Sequence, residues 1–196
     1  MDQGWLLGRE EPRCDATFAG VTRTWLDGES WIEHAPGWLE GHVTLFERLR
    51  AGAPWREESR QMYERVVDVP RLIAVLPPGE RPPIVEEMRG ALERRYATEF
   101  SRVSLALYRD GRDSVAWHGD YVARKRKEAL VATVSVGAAR KFLIRPTGGG
   151  ASRALSLGCG DLIVMGGGCQ RTHQHAIPKV ARAQPRIAIM FRPIWE

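Results

Sequence analysis

From Ser101 onward the chain breaks into short apolar runs, each closed by a turn signal, and this pattern restricts the fold more than any other feature. Residues 103–108 lead into Asp110-Gly111. Residues 130–136, 141–145, 153–157, 162–165 and 186–191 follow, punctuated by Gly137, Gly148-Gly149-Gly150, Gly158 to Gly160 and Gly166-Gly167-Gly168. Such runs have the length of strands, and each is bounded by the residues that permit tight turns. Many short strands with glycine-rich turns suit a sandwich or jelly roll, in which a sheet folded over itself buries one face of every strand. Neither glycine triplet is a phosphate loop, because no Gly-Lys-Ser or Gly-Lys-Thr follows.

The first half reads differently. Residues 38–50 carry Leu39, Val43, Leu45, Phe46 and Leu49 at roughly helical spacing, and Ala51-Gly52-Ala53-Pro54 ends the pattern. Residues 84–96 read as a second amphipathic helix, entered through Pro82 and Pro83, with Ile84, Val85, Met88 and Leu92 inward. Between them, residues 55–78 mix charge, aromatics and short apolar runs, as expected of a strand-and-loop cover over a site. No composition break divides the 196 residues. One catalytic domain over 1–196 is expected, about 1–100 being extension and cover and about 101–196 the core.

Chemistry concentrates in that core. His118 and Asp120 are two apart, so on an extended segment both project to one side. Two imidazoles and one carboxylate can occupy one face of a metal and leave the other open, the pattern of non-haem iron(II) oxygenases. A second imidazole is available from His173 or His175, which spacing alone does not separate. Arg186 and Arg192, six apart on a strand, also share a face with Cα atoms roughly 20 Å apart at about 3.3 Å per residue. Their planar forks could close on the two ends of a small diacid.

These residues fall inside longer stretches. Leu107-Tyr108-Arg109-Asp110-Gly111-Arg112-Asp113-Ser114-Val115-Ala116-Trp117-His118-Gly119-Asp120 resembles the metal-binding core of the AlkB family. So do Met165-Gly166-Gly167-Gly168-Cys169-Gln170, His175-Ala176-Ile177-Pro178-Lys179, and Pro185-Arg186-Ile187 through Phe191-Arg192. The resemblance runs from about Ser104 to Pro193. It extends loosely into the first half at Pro54-Trp55 and Pro70-Arg71.

The resemblance implies an α+β fold, a double-stranded β-helix (jelly-roll) core with N-terminal helices packed outside. It also implies an iron(II)- and 2-oxoglutarate-dependent dioxygenase that removes alkyl groups from nucleobases. His118, Asp120 and His175 would be the catalytic iron ligands, His175 being chosen over His173 by the Pro178-Lys179 that follows. Tyr108, Arg186 and Arg192 would hold 2-oxoglutarate, Arg186 at its distal carboxylate, and dioxygen would take the remaining metal position. Hydroxylation of an N-methyl carbon would then release formaldehyde, with succinate and carbon dioxide from the cosubstrate. Trp55, Tyr63, Arg71 and Trp117 are the candidate substrate-binding residues.

Three positions depart from the family. Ala106 and Ala188 stand where relatives often carry asparagine, and Tyr121-Val122-Ala123 stands where several carry acidic residues that touch the base. The expected partner is alkylated DNA, with RNA left open. A protein or small-molecule substrate, or a nucleic-acid-binding module with a vestigial site, is the rival reading. The excess of 29 Lys and Arg over 24 Asp and Glu, a net charge of +5, permits a polyanionic partner. The run Arg124-Lys125-Arg126-Lys127 could track phosphates beside the metal motif, extended by Arg140, Arg145 and Arg153.

No apolar run approaches the roughly 20 residues that span a bilayer. Met1-Asp2-Gln3-Gly4 lacks the basic and apolar regions of a secretory signal. Cys14, Cys159 and Cys169 have no metal-site spacing. A monomer in a reducing cytoplasm is the expectation.

Overall fold

The computed structural model describes residues 10–62, 65–120 and 123–194, the side chains of 58–62, 65–69 and 124 excepted. The first half contains β1 (Arg13–Cys14), β2 (Thr22–Trp25), β3 (Ser30–Ala35), β4 (Leu39–Glu40) and α1 (His42–Gly52). After these come β5 (Arg56–Met62), β6 (Arg65–Leu76) and α2 (Pro83–Tyr96). The second half contains β7 (Arg102–Tyr108), β8 (Val115–His118), β9 (Val131–Gly137), β10 (Arg140–Pro146) and β11 (Arg153–Leu157). It ends with β12 (Leu162–Gly167), the short helix α3 (Cys169–Thr172), β13 (His173–Ile177) and β14 (Arg186–Arg192).

Two antiparallel sheets make the core. The larger runs β2-β3-β12-β9-β14-β7-β6-β5 and the smaller β11-β10-β13-β8. Alternation along the large sheet sends its side chains to opposite faces. One face, with Leu105, Leu107, Val134, Ile187, Ile189 and Phe191, packs on Leu45 and Leu49 of α1 and on Val85, Met88 and Leu92 of α2. The other face, with Ala106, Tyr108, Val131 and Ala188, meets Phe142, Ile144, Leu157 and Ile177 of the small sheet. This is the jelly roll with helices outside.

Helix α2 agrees with its expected span to one residue, and Ile84, Val85, Met88 and Leu92 are all buried. Pro82 and Pro83 suit its first turn, where a missing N–H is no loss. Helix α1 corrects its expected span. Trp38 and Leu39 lie before it, Leu39 in β4, and the helix begins only at His42. Gly41 sets this boundary with φ +63, and a Cβ there would meet the Glu10 and Glu11 carbonyls at 2.8 Å. Val43 consequently faces solvent, 55% exposed.

The cover is a β5–β6 hairpin continuing the large sheet beside β7. Strands β2 and β3 had no clear alternation because β3 buries polar groups as well as apolar ones. Ser30 and Glu33 are both buried. Glu33 is compensated by Arg23 at 2.8 Å, by Arg95 at 3.5 Å and by the Tyr96 hydroxyl.

Candidate active site

The face of β14 turned toward the small sheet forms a ladder with its neighbours. Arg186 pairs with Tyr108 on one side and Gly137 on the other, and Ala188 with Ala106 and Ser135. Met190 then pairs with Ser104 and Thr133, and Arg192 with Arg102. Opposite, His175 of β13 is in register with His118 of β8. A cavity of about 320 Å³ lies between the sheets, lined by His118, Asp120, His175, Tyr108, Arg186 and Arg192 among others. Arg71 also lines it and donates to the Tyr108 hydroxyl at 3.3 Å.

The two imidazoles sit with ring centroids 4.3 Å apart, and Phe142 stacks on His175 at 5.4 Å. His118 Nδ1 lies 2.8 Å from the Ala116 carbonyl oxygen. A carbonyl only accepts, so this contact places the proton on Nδ1 and leaves the Nε2 lone pair for a metal. The Asp120 backbone N–H donates to Gln170 Oε1 at 2.9 Å. Its carboxylate lies 3.0 Å from Arg192 Nε, close enough for an ion pair although Nε makes no aligned hydrogen bond. Among the described residues no three His, Cys, Asp or Glu side chains stand already closed as a metal cage.

Arg186 is 2% exposed, and its Nη2 donates to Ser135 Oγ at 2.6 Å. Burial pushes its guanidinium below the usual value, while Tyr108 works in the opposite direction. Its Nε has no hydrogen-bond partner among the described residues. A buried cation held only by neutral oxygens is costly unless an anion joins it. The donor set therefore fits both groups the sequence suggests, a borderline divalent metal at the histidines and a carboxylate at Arg186.

Two supports were missed in sequence. Gln170, 1% exposed, anchors the Asp120 backbone, and its position at the end of the glycine-rich Met165–Gln170 segment of the resemblance was the available signal. Arg140 was expected to extend a basic patch, but it is 3% exposed. It donates at 2.9 Å to the carbonyls of Asp110, Asp113 and Pro178, strapping the loop before β8 to the turn after β13. The same two segments touch where Val180 N–H donates to Gly111 O at 2.9 Å. A Cβ on Gly111 would stand 2.2 Å from Val180 O, so only glycine allows that approach.

The structure does not bring every candidate together. Trp55 packs against the helix-side core, with its indole N–H on Arg50 O at 3.1 Å, so it is no platform in the cavity. Trp117 precedes His118 and by alternation turns away from the cavity, where Arg145 stacks on it at 4.0 Å. Tyr63 lies outside the described residues. His173 is held by Thr172 Oγ1 at 2.7 Å and is absent from the cavity lining.

A metal that needs open positions and a dianion anchored a few ångströms away are the joint requirement of 2-oxoglutarate oxygenases. The model of the 2OG-Fe(II) oxygenase superfamily matches residues 75–192. Within that superfamily the chain belongs to the AlkB family. It is 28% identical over 195 residues to alpha-ketoglutarate-dependent dioxygenase alkB homolog 3 of Bos taurus, covering 86% of this chain and 68% of that one. The Homo sapiens homolog 3 is 27% identical, with coverages of 77% and 61%. DNA oxidative demethylase ALKBH2 of Arabidopsis thaliana is 27% identical, with coverages of 76% and 61%.

The chain thus spans roughly two thirds of the length of these relatives. Among solved structures, OsALKBH1 superposes with a TM-score of 0.57 at 14% identity, over 88% of this chain and all of that one. A Trichoplax adhaerens prolyl hydroxylase bound to a hypoxia-inducible-factor peptide gives 0.56 at 12% identity, over 77% and 76%. These two likenesses establish the jelly-roll fold. Iron(II), 2-oxoglutarate and dioxygen are the metal, cosubstrate and oxidant of an enzyme of this family. No helix among the described residues is long and apolar enough to cross a membrane.

Proposed function

We propose that this enzyme oxidatively dealkylates N-alkylated nucleobases in DNA, with RNA a further possible strand, as a direct reversal of alkylation damage. One observation carries the reading: Arg186, buried and with no carboxylate hydrogen-bonded to it among the described residues, lines the same cavity as the His118–His175 pair. His118, Asp120 and His175 would hold iron(II). Tyr108, Arg186 and Arg192 would hold 2-oxoglutarate, with Arg186 at the distal carboxylate. Bound iron(II) supplies the oxidation that inserts one oxygen into the N-methyl C–H bond, the other entering succinate. The N–CH2OH product then breaks its N–C bond, the hydroxyl proton passes to the base nitrogen, and formaldehyde leaves.

The chain's own residues do the rest. Arg186 and Tyr108 would hold the distal carboxylate of the cosubstrate, and the Ala116 contact keeps the His118 ring oriented. Arg192 already lies 3.0 Å from the Asp120 carboxylate and would help hold 2-oxoglutarate, balancing negative charge at the site. Phe142, Met165, Val131 and Ile177 supply apolar cavity wall that excludes water. Lys125, Arg126 and Lys127 are exposed just after the metal motif, which supports a polyanionic strand as substrate. A base must leave its stack to reach an interior cavity, so single strands or flipped bases are expected. We read residues 1–196 as one catalytic domain.

The test is formaldehyde release from a 1-methyladenine or 3-methylcytosine oligonucleotide, with iron(II), 2-oxoglutarate and oxygen supplied. Product should need iron(II) and 2-oxoglutarate and vanish in His118→Ala and Arg186→Ala. Succinate without formaldehyde would move the substrate to a protein or small molecule. Tight oligonucleotide binding without any turnover would instead indicate a vestigial site.

A further inference from the structure

We propose that Ser135 is a positioning residue for the cosubstrate, its hydroxyl setting the plane of the Arg186 guanidinium and hence the affinity for a distal carboxylate. The proposal rests on the assignment of that carboxylate to Arg186. Ser135 is wholly buried in the middle of β9. Its backbone is tied to the segment that enters β12, the N–H donating to Asp161 O at 2.9 Å and the carbonyl accepting from Gly160 N at 2.8 Å. In the ladder it lies opposite Ala188 and diagonal to Arg186, whose direct partner Gly137 has no side chain. A diagonal neighbour is within reach of a long arm, and Arg186 Nη2 meets the hydroxyl at 2.6 Å.

Ala188 and Ala106 carry no polar group. Tyr108 is the second side chain that holds Arg186, its ring centre 5.4 Å from the guanidinium carbon. It comes from the β7 side, so among the described residues Ser135 is the side chain on the β9 side that fixes the fork. Bidentate capture of a carboxylate depends on the plane of the guanidinium fork. An arm already held by Ser135 gives up less rotational freedom when the ligand arrives. The neutrality of the partner matters as much as its position. An aspartate here would fix the same plane and cancel the charge, whereas a hydroxyl leaves the cation for the cosubstrate and keeps its own proton to donate.

The experiment titrates the Mn(II)-loaded full chain with 2-oxoglutarate and, separately, with 2-oxobutyrate, by calorimetry without oxygen. The second ligand has the same chelating end and no distal carboxylate. Ser135→Ala removes one oxygen and keeps the Cβ. It should weaken 2-oxoglutarate about tenfold, as expected for one hydrogen bond to a charged group, while 2-oxobutyrate and Mn(II) affinities move less than about twofold.

Equal weakening of both ligands would show general distortion and overturn the proposal. So would unchanged 2-oxoglutarate affinity. Arg186→Ala, run in parallel, separates the two levels of inference. If it too leaves 2-oxoglutarate affinity unchanged, the cosubstrate assignment itself fails. If it removes that affinity while Ser135→Ala does not, only the role of Ser135 falls.

Discussion

Replacing Arg140 by methionine should loosen the two metal-bearing strands together. Methionine fills most of the volume of the arginine stem but offers no donor. Three carbonyls, of Asp110, Asp113 and Pro178, would lose donors that now stand at 2.9 Å each. Each abandoned buried acceptor costs about 1–3 kcal/mol. Against this, the variant no longer buries a cation, whose burial already pushes the Arg140 guanidinium below its usual value. Three acceptors at the lower end of that range, two of them part-buried and the loss offset in part by relief of the buried cation, place Arg140→Met at about 3 kcal/mol.

For a chain of 196 residues this corresponds to a fall in Tm of about 6–12 °C, within the roughly 5–15 kcal/mol that a folded domain has to lose. Urea unfolding followed by tryptophan fluorescence measures the stability loss, and Mn(II) titration measures the metal affinity. Mn(II) affinity should fall with stability, because the same strap orders the segments that carry His118 and His175. A stability loss below about 1 kcal/mol would refute the estimate from the lost donors. A full loss with unchanged Mn(II) affinity would refute the link between the strap and the ligands.

Gly160→Ala should destabilise by at least about 2 kcal/mol, since a side chain at positive φ clashes as well as strains. The residue has φ +89 and a Cβ there would stand 2.0 Å from Leu39 O; the check is the urea midpoint, and wild-type stability would refute it. Thiol labelling at pH 8 should modify exposed Cys159 quickly and leave buried Cys169 intact until the chain is denatured. Burial pushes the Cys169 thiol up to about 12, so little thiolate exists to react. Mass spectrometry of the labelled chain reports the order, and equal rates at both positions would contradict the burial of Cys169.

Local pattern was enough for several parts of this protein. Residues 84–96 form their helix because period-3.6 burial and an entering proline pair are written within one stretch of chain. The strands β7, β9, β10, β11, β12 and β14 follow from apolar runs closed by turn residues, and the resembling motifs carried the fold and the candidate ligands. Strands β8 and β13 were not legible as strands. Val-Ala-Trp-His and His-Gln-His-Ala-Ile spend their inward positions on polar groups, which hides the alternation.

Other features depend on distant parts of the chain and had no local signature. That Trp55 packs in the core, that Trp117 faces Arg145, and that Arg140 is a buried strap were all decided by which strands lie side by side. Arg140 and Arg153 look alike in sequence, yet one is buried and the other exposed, because only the first begins a strand beneath two converging loops. The hydrogen bond from Arg186 to Ser135 spans 51 residues of sequence and exists through the register of β14 on β9. The amino-acid order alone determined which chemical groups this protein has and which short elements it forms. Pairing register, which depends on the summed packing of whole sheets, decided which of those groups meet.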